Sequence, residues 1–194
     1  MSIRAVVFDV GGVLSVVPPG PRVALPAGVG DATMADVWAD GELGRITETD
    51  VHTALRDRLG LSAGQVTDVM DEIWRQYLGV ANTRLIGYAR TLRPDYRTGI
   101  LSNSFVGARE REQQRYGFGD LVDDLIYSHE AGMSKPDPAL WALTCRRMGA
   151  EPGEIVFVDD SPELVRQARE FGLRAVRFTE TEQAIAEIDG WLGR

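Results

Sequence analysis

The order of apolar and polar positions along the chain predicts a doubly wound α/β protein. Ile3 to Phe8 is short, β-branched and almost wholly apolar, which is typical of a strand buried on both faces of a parallel sheet. After residue 97, short apolar runs alternate with helical patterns. The predicted strands there are Thr98–Leu101, Leu125–Tyr127, Ile155–Val158 and Ala175–Phe178, and the predicted helices are Val106–Tyr116, Pro138–Met148, Pro162–Phe171 and Glu182–Leu192. Strands that alternate with helices indicate a mostly parallel sheet covered by helices on both faces.

A helical block interrupts this pattern after the first strand. Residues 18–30 are rich in proline and glycine and predict an irregular connector. Thr47 with Asp50, and then Ser62, have the positions of helix N-caps, and a further helix is predicted over Thr83–Leu92. We find no strand signal in this block. The predicted division of the chain is an α/β core of residues 1–17 and 93–194, and an α-helical cap of residues 18–92.

Composition and charge narrow the range of partners. The 194 residues carry a formal net charge of −8. Such a surface repels phosphate backbones, so we expect no nucleic-acid partner, although a cation inside a cleft would still admit a small phosphorylated ligand. Cys145 is the single cysteine, which excludes an internal disulfide and a cysteine-rich metal site. The apolar runs are too short for a signal peptide or a membrane span, so we expect a cytoplasmic protein with no membrane partner.

Four polar clusters follow predicted strands. They are Asp9, Ser102-Asn103-Ser104, Lys135-Pro136 and Asp159-Asp160-Ser161. Each one alone has a structural explanation, since Asp, Ser and Asn are common in loops, and Asp159 or Ser161 is suited to cap the helix at Pro162. In open α/β sheets, however, ligands bind outside the carboxyl ends of the strands. The four clusters together therefore predict one polar crevice.

The chemistry of these side chains is mutually compatible. Carboxylates that share a crevice repel one another unless a cation lies between them, and oxygen-rich sites suit Mg²⁺. A carboxylate can attack phosphorus and form an aspartyl-phosphate. Lys135 would neutralise charge on the nucleophile and on the transferred group. Ser102 and nearby backbone N–H groups would hold phosphoryl oxygens.

The chain resembles the haloacid dehalogenase (HAD) superfamily, and the resemblance spans nearly its whole length. The segments that carry it are Phe8–Leu14, Leu101–Asn103, Gly132–Pro136 and Phe157–Ser161. The resemblance extends to small bacterial sugar-phosphate phosphatases and to the phosphatase domain of soluble epoxide hydrolases. It implies a Rossmann-like HAD core with an α-helical cap, and a Mg²⁺-dependent phosphatase that acts on a small phosphorylated metabolite.

The resemblance also assigns roles to residues. Asp9 would be the nucleophile and a magnesium ligand, and Gly11 would offer its backbone carbonyl to the metal. Ser102 and Asn103 would contact the phosphoryl group or orient Asp9, and Lys135 would hold the charges together. Asp160 corresponds to the direct metal carboxylate of the family, and Asp159 to a flanking position.

Two positions depart from the family pattern. Gly11 stands where phosphatases of the family usually carry an Asp that acts as general acid and base, and Leu164 stands where Asp or Asn is frequent. His129 is either a replacement for the missing acid or a loop histidine. Two alternatives therefore stay open, namely a metal-independent 2-haloacid dehalogenase and a weakly active relative with a binding or regulatory role.

Overall fold

A parallel sheet of five strands forms the centre of the protein. The structure, a computed structural model, describes residues 2–17 and 23–194. Its strands are β1 (Ala5–Phe8), β2 (Ser15–Val16), β3 (Val80–Ala81), β4 (Arg97–Ser102), β5 (Asp124–Tyr127), β6 (Ile155–Asp159) and β7 (Arg174–Arg177). The main sheet has the order β5-β4-β1-β6-β7, and all its neighbouring strands are parallel. The predicted doubly wound fold is confirmed.

The helices lie close to their predicted positions. They are α1 (Ala35–Glu42), α2 (Glu48–Leu59), α3 (Ala63–Leu78), α4 (Thr83–Thr91), α5 (Ala108–Tyr116), α6 (Phe118–Leu121), α7 (Ser128–Ala131), α8 (Pro138–Met148), α9 (Pro162–Phe171) and α10 (Thr181–Leu192). Thr47 and Ser62 cap α2 and α3 through complete capping boxes, as their spacing predicts. The short helices α1, α6 and α7 were not predicted, because a helix of one or two turns shows too little periodicity.

Strand β1 is the point at which the order of successive strands reverses. The chain passes from β1 to β4 and β5 on one side, and later to β6 and β7 on the other. Alternate residues of β1 face opposite sides of the sheet, so Val6 and Phe8 join one hydrophobic cluster while Ala5 and Val7 join another. Ligands of such folds bind beside this switch point, which is where Asp9 follows β1.

Helices α1 to α3 form the body of the cap and have their own hydrophobic cluster, which includes Val51, Leu55 and Trp74. Helix α4 behaves differently, because Leu85 and Ala89 pack in the same cluster as β1 and β4 of the core. This packing favours a cap that ends before α4. The cap boundary at residue 92 stays a prediction.

A small antiparallel sheet closes the base of the cap. Ser15 and Val16 of β2 pair with Ala81 and Val80 of β3. The prediction that the block after the first strand contains no strand was wrong, since strands of two residues are too short to show alternation and their pairing joins distant parts of the chain. The Asn82 amide, which directly follows β3, donates a 3.0 Å hydrogen bond to the Val13 carbonyl before β2 and so joins the two ends of the inserted segment.

The connector that the sequence predicts over residues 18–30 falls partly outside the described residues, because residues 18–22 are not among them. Residues 23–30 contain no helix or strand, as predicted. None of the helices in the described part of the chain is both long enough and apolar enough to cross a membrane.

Candidate active site

Three charged side chains meet at the carboxyl ends of β1 and β6. The Lys135 ammonium donates to Asp9 Oδ1 at 2.8 Å and to Asp159 Oδ2 at 2.7 Å. Asp9 is 8% exposed, Lys135 is 4% exposed and Asp159 is fully buried. Asp9 directly follows β1, Asp159 ends the neighbouring parallel strand β6, and the Asp9 N–H donates to the Val158 carbonyl at 2.9 Å. The sequence prediction that these three clusters converge agrees with this geometry.

The electrostatics of this trio follow from its burial. Burial raises the pKa of the Asp9 carboxyl to about 6, Lys135 opposes the rise, and Asp159 adds to it. Burial lowers the pKa of the Lys135 ammonium, but Asp9 and Asp159 outweigh burial and the pKa is raised overall. The ammonium therefore stays charged between two carboxylates, and one charged group cannot neutralise both of them.

Lys135 is held by its backbone as well as by its charge. Its N–H donates to Asn103 Oδ1 at 2.7 Å, and Asn103 Nδ2 donates to the Lys135 carbonyl at 3.0 Å. The Asn103 amide thus positions Lys135, whereas the resemblance suggested contact with the phosphoryl group or with Asp9. Lys135 is also the single lysine in a chain rich in arginine. Its compact ammonium carries three donors and bonds to both carboxylates at once.

A third carboxylate lies at the open side of the trio. One oxygen each of Asp9, Asp159 and Asp160 lie within 4.8 Å of one another, and Asp160 is exposed. Burial, and then the charge of Asp159, raises the pKa of Asp160. Gly12 has φ +77° and lies so close that an added Cβ would overlap the Asp160 carboxylate. By contrast, a Cβ added at Gly11 would meet no atom of residues 2–17 and 23–194 within 4 Å.

Two residues near Asp9, Tyr77 and Glu112, gave no signal of function in the sequence. The hydroxyl of Tyr77, at the end of α3, lies beside Ser102 and Glu112. Burial raises the pKa of Tyr77 most, and Glu112 and the charge of Asp9 raise it further. Glu112 of α5 is fully buried. Ser102 itself is 2% exposed at the end of β4. Tyr77 fitted the apolar stripe of its helix, and Glu112 lies in a highly charged segment, so neither position gave a signal of function.

Neither His129 nor Leu164 contributes an atom to the group of three carboxylates. The Nδ1 atom of His129 is 2.6 Å from the Ser104 hydroxyl, and burial lowers the pKa of the imidazole. Leu164 is half-buried in the first turn of α9, next to the buried Val165. His129 therefore has a structural partner, and Leu164 contributes an apolar side chain near the base of the site.

Fold and site together define a class, namely a doubly wound α/β protein with a buried carboxylate and a lysine at the switch point of its sheet and an inserted helical cap. A sequence profile of haloacid dehalogenase-like hydrolases matches residues 3–172. The chain belongs to this family of hydrolases.

Individual relatives agree with this assignment. The chain is 26% identical to bifunctional epoxide hydrolase 2 of Sus scrofa over 97% of its own length and 39% of that protein. It is 24% identical to the D-ribitol-5-phosphate phosphatase of Bacteroides thetaiotaomicron, over 88% of the chain and 89% of that enzyme. The chain thus spans less than two fifths of the epoxide hydrolase.

Solved structures share the fold. A HAD-like family hydrolase from Porphyromonas gingivalis is 26% identical, with a TM-score of 0.78 over the full length of both chains. A HAD family enzyme from Bacteroides thetaiotaomicron, crystallised with magnesium and inorganic phosphate, has a TM-score of 0.76 and 21% identity over 91% of this chain and 94% of that one.

Proposed function

We propose that the protein is a Mg²⁺-dependent phosphatase that hydrolyses a small phosphorylated metabolite through an aspartyl-phosphate on Asp9. The observation that carries this proposal is the position of Asp9. Its carboxylate lies at the switch point of the sheet and accepts a hydrogen bond from Lys135. One of its oxygens lies within 4.8 Å of carboxylate oxygens of Asp159 and Asp160. The sugar-phosphate phosphatase among the relatives supports the reaction class.

The donor set supports magnesium as the metal. Asp9, Asp159 and Asp160 offer hard carboxylate oxygens and carry more negative charge than Lys135 neutralises. Asp9, Asp160 and the Gly11 carbonyl would hold the ion, with Asp159 beside them. The bound ion would supply positive charge to the oxygens of the phosphoryl group.

The residues of the chain have defined parts in the reaction. An oxygen of Asp9 attacks phosphorus, the bond from phosphorus to the leaving oxygen breaks, and the aspartyl-phosphate forms. Lys135 opposes protonation of Asp9 and offsets the charge that gathers on the phosphoryl group, while Ser102 would donate to a phosphoryl oxygen. Water then attacks phosphorus and releases phosphate, which restores the Asp9 carboxylate.

A substrate screen tests the proposal. Purified protein is assayed for phosphate release from sugar, nucleotide and cofactor phosphates, with magnesium and with chelator, and for halide release from 2-haloacids. We expect magnesium-dependent phosphate release that Asp9→Asn abolishes. Halide release without metal would support a dehalogenase instead. Phosphate release that survives in the Asp9→Asn variant would contradict the proposal.

A further inference from the structure

A buried carboxyl group that forms no salt bridge among the described residues lies near the site. Glu112 of α5 has no exposed surface. The Tyr127 hydroxyl donates a short hydrogen bond to its Oε2 atom, while Oε1 has no hydrogen-bond partner among the described residues. A buried carboxylate left in this state is costly, which favours the protonated form of the group.

Tyr77 lies next to this acid and to Ser102 at the end of β4. Its ring packs edge-on against that of Trp74, with the two ring centroids 5.3 Å apart. The Tyr77 hydroxyl lies beside both Glu112 and Ser102. Since Glu112 is fully buried and Tyr77 is only partly buried, Tyr77 is the member of the pair that a substrate can touch.

The protonation of both groups agrees with this geometry. Burial raises the pKa of Glu112 to about 7, the Tyr127 and Tyr77 hydroxyls oppose the rise, and the charge of Asp9 adds to it. Burial, followed by Glu112, raises the pKa of Tyr77 well above its usual value. Tyr77 thus keeps its proton near neutral pH, and Glu112 titrates in the range that suits an acid and base.

The residue two positions after Asp9 cannot supply the proton that an alkoxide leaving group requires. Gly11 has no acid side chain, yet an alkoxide that leaves phosphorus needs a proton. We propose that Tyr77 donates this proton to the leaving oxygen and that Glu112 replenishes it, so that the pair takes the place of the acid absent at residue 11. This inference rests on the proposed phosphatase function. Tyr77 is the catalytic residue in it, and Glu112 is a positioning residue that acts through Tyr77.

The proton transfers balance over the two steps. In the first step Asp9 bonds to phosphorus and the ester oxygen leaves with the bonding electrons. That oxygen takes the Tyr77 proton while Tyr77 takes the Glu112 proton, which gives an alcohol and the Glu112 carboxylate. In the second step water attacks phosphorus and its proton returns through Tyr77 to Glu112. The Asp9 carboxylate is released at the same time.

The test compares leaving groups. Tyr77→Phe and Glu112→Gln each remove the proposed proton source, and Glu110→Gln, an exposed position on the same helix, is the matched control. We measure kcat/KM for p-nitrophenyl phosphate, whose leaving group needs no proton, and for glycerol 3-phosphate, whose leaving group does. Both variants should lose ~10²–10⁴-fold on the alkyl phosphate and less than about tenfold on the aryl phosphate. The control should lose neither.

A restored acid gives a second readout. Gly11 has open space and a backbone φ outside the left-handed region, so Gly11→Asp should be tolerated. Added to Glu112→Gln, it should recover at least about tenfold of the alkyl phosphatase rate, which a merely structural role of Glu112 would not allow. This arm stands even if Tyr77→Phe folds poorly.

The outcomes separate the two proposals. Equal losses on both substrates, or no loss on the alkyl phosphate, would overturn the proton pathway while leaving a phosphatase that needs Asp9. If the unmodified protein releases no phosphate in an Asp9-dependent way, the proposed function fails and the proton pathway fails with it.

Discussion

Removal of the Lys135 charge tests the central electrostatic feature of the site. Lys135→Met keeps most of the hydrocarbon stem and deletes the ammonium that lies 2.8 Å from Asp9 and 2.7 Å from Asp159. Asp159 would then keep only the Ser161 N–H as a hydrogen-bond donor to its side chain, at 2.9 Å, among the described residues. Two carboxylates would face each other without the cation that separates them.

The expected loss in the free energy of unfolding is large because Lys135 and its two carboxylate partners are buried. The side chains of Lys135 and Asp159 are each 1% exposed, and that of Asp9 is 11% exposed. Removal of one partner from a buried ion pair costs about 3–5 kcal/mol, mostly because the remaining charge is left without compensation. Asp9, as the most exposed member, can relieve part of this cost through water.

A double variant separates charge from packing. Asp159→Asn combined with Lys135→Met removes the unpaired buried charge but restores none of the lost packing. The double variant should therefore be more stable than Lys135→Met by at least about 1 kcal/mol. The assay is urea denaturation of all four proteins, with chelator present so that metal does not mask the repulsion.

Two results would refute this reasoning. A stability loss below about 1 kcal/mol for Lys135→Met would mean that the ion pairs contribute little net free energy. Additive effects in the double variant would mean that Lys135 and Asp159 are not coupled, despite the hydrogen bond between them.

Three further predictions address the metal, the loop and the buried acid. Asp160→Ala should raise the magnesium concentration for half-maximal activity at least about tenfold with little loss of stability, and an unchanged magnesium titration would contradict its role as ligand. Gly12→Ala should cost about 1–2 kcal/mol in a thermal melt because of the positive φ and the contact with Asp160, whereas Gly11→Ala should be near neutral; equal effects would contradict the loop geometry. Glu112, which faces Tyr127, Tyr77, Asp9 and Arg109, has a pKa raised from 4.5 to about 7, so its native state binds the extra proton and its stabilisation is lost as pH rises through that interval. The free energy of unfolding of the wild type should thus fall by up to about 3 kcal/mol relative to Glu112→Gln between about pH 5 and about pH 8 in urea titrations, and parallel curves would rule out the raised pKa.

Local signals made most of the fold predictable from the sequence. Pro138 and Pro162 begin α8 and α9, and Thr47 and Ser62 cap α2 and α3. These helix starts were predictable because each depends only on residues that are close together in the sequence. The β2–β3 pairing was not predictable, because each strand has two residues and the partners are far apart in the chain.

The site was predictable where it depends on strand ends. Asp9, Ser102 and Asp159 were predicted to lie together because parallel strands end at one edge of the sheet. The burial of Glu112 was not predictable from the sequence, because charged residues are seldom fully buried and only the contact with Tyr127 reveals it. The role of the Asn103 amide, which holds the backbone of Lys135, likewise depends on a contact between distant segments.

The most direct test of the account is chemical trapping of the covalent intermediate. The protein is mixed with magnesium and the best phosphate ester from the screen, quenched during turnover and treated with borohydride, which reduces an aspartyl-phosphate to homoserine. Peptide mass spectrometry then locates the modified residue, and Asp9→Asn serves as the control. The account predicts homoserine at residue 9 in the wild type and none in the control. Turnover with no modification at Asp9, or with modification at another carboxylate, would contradict it.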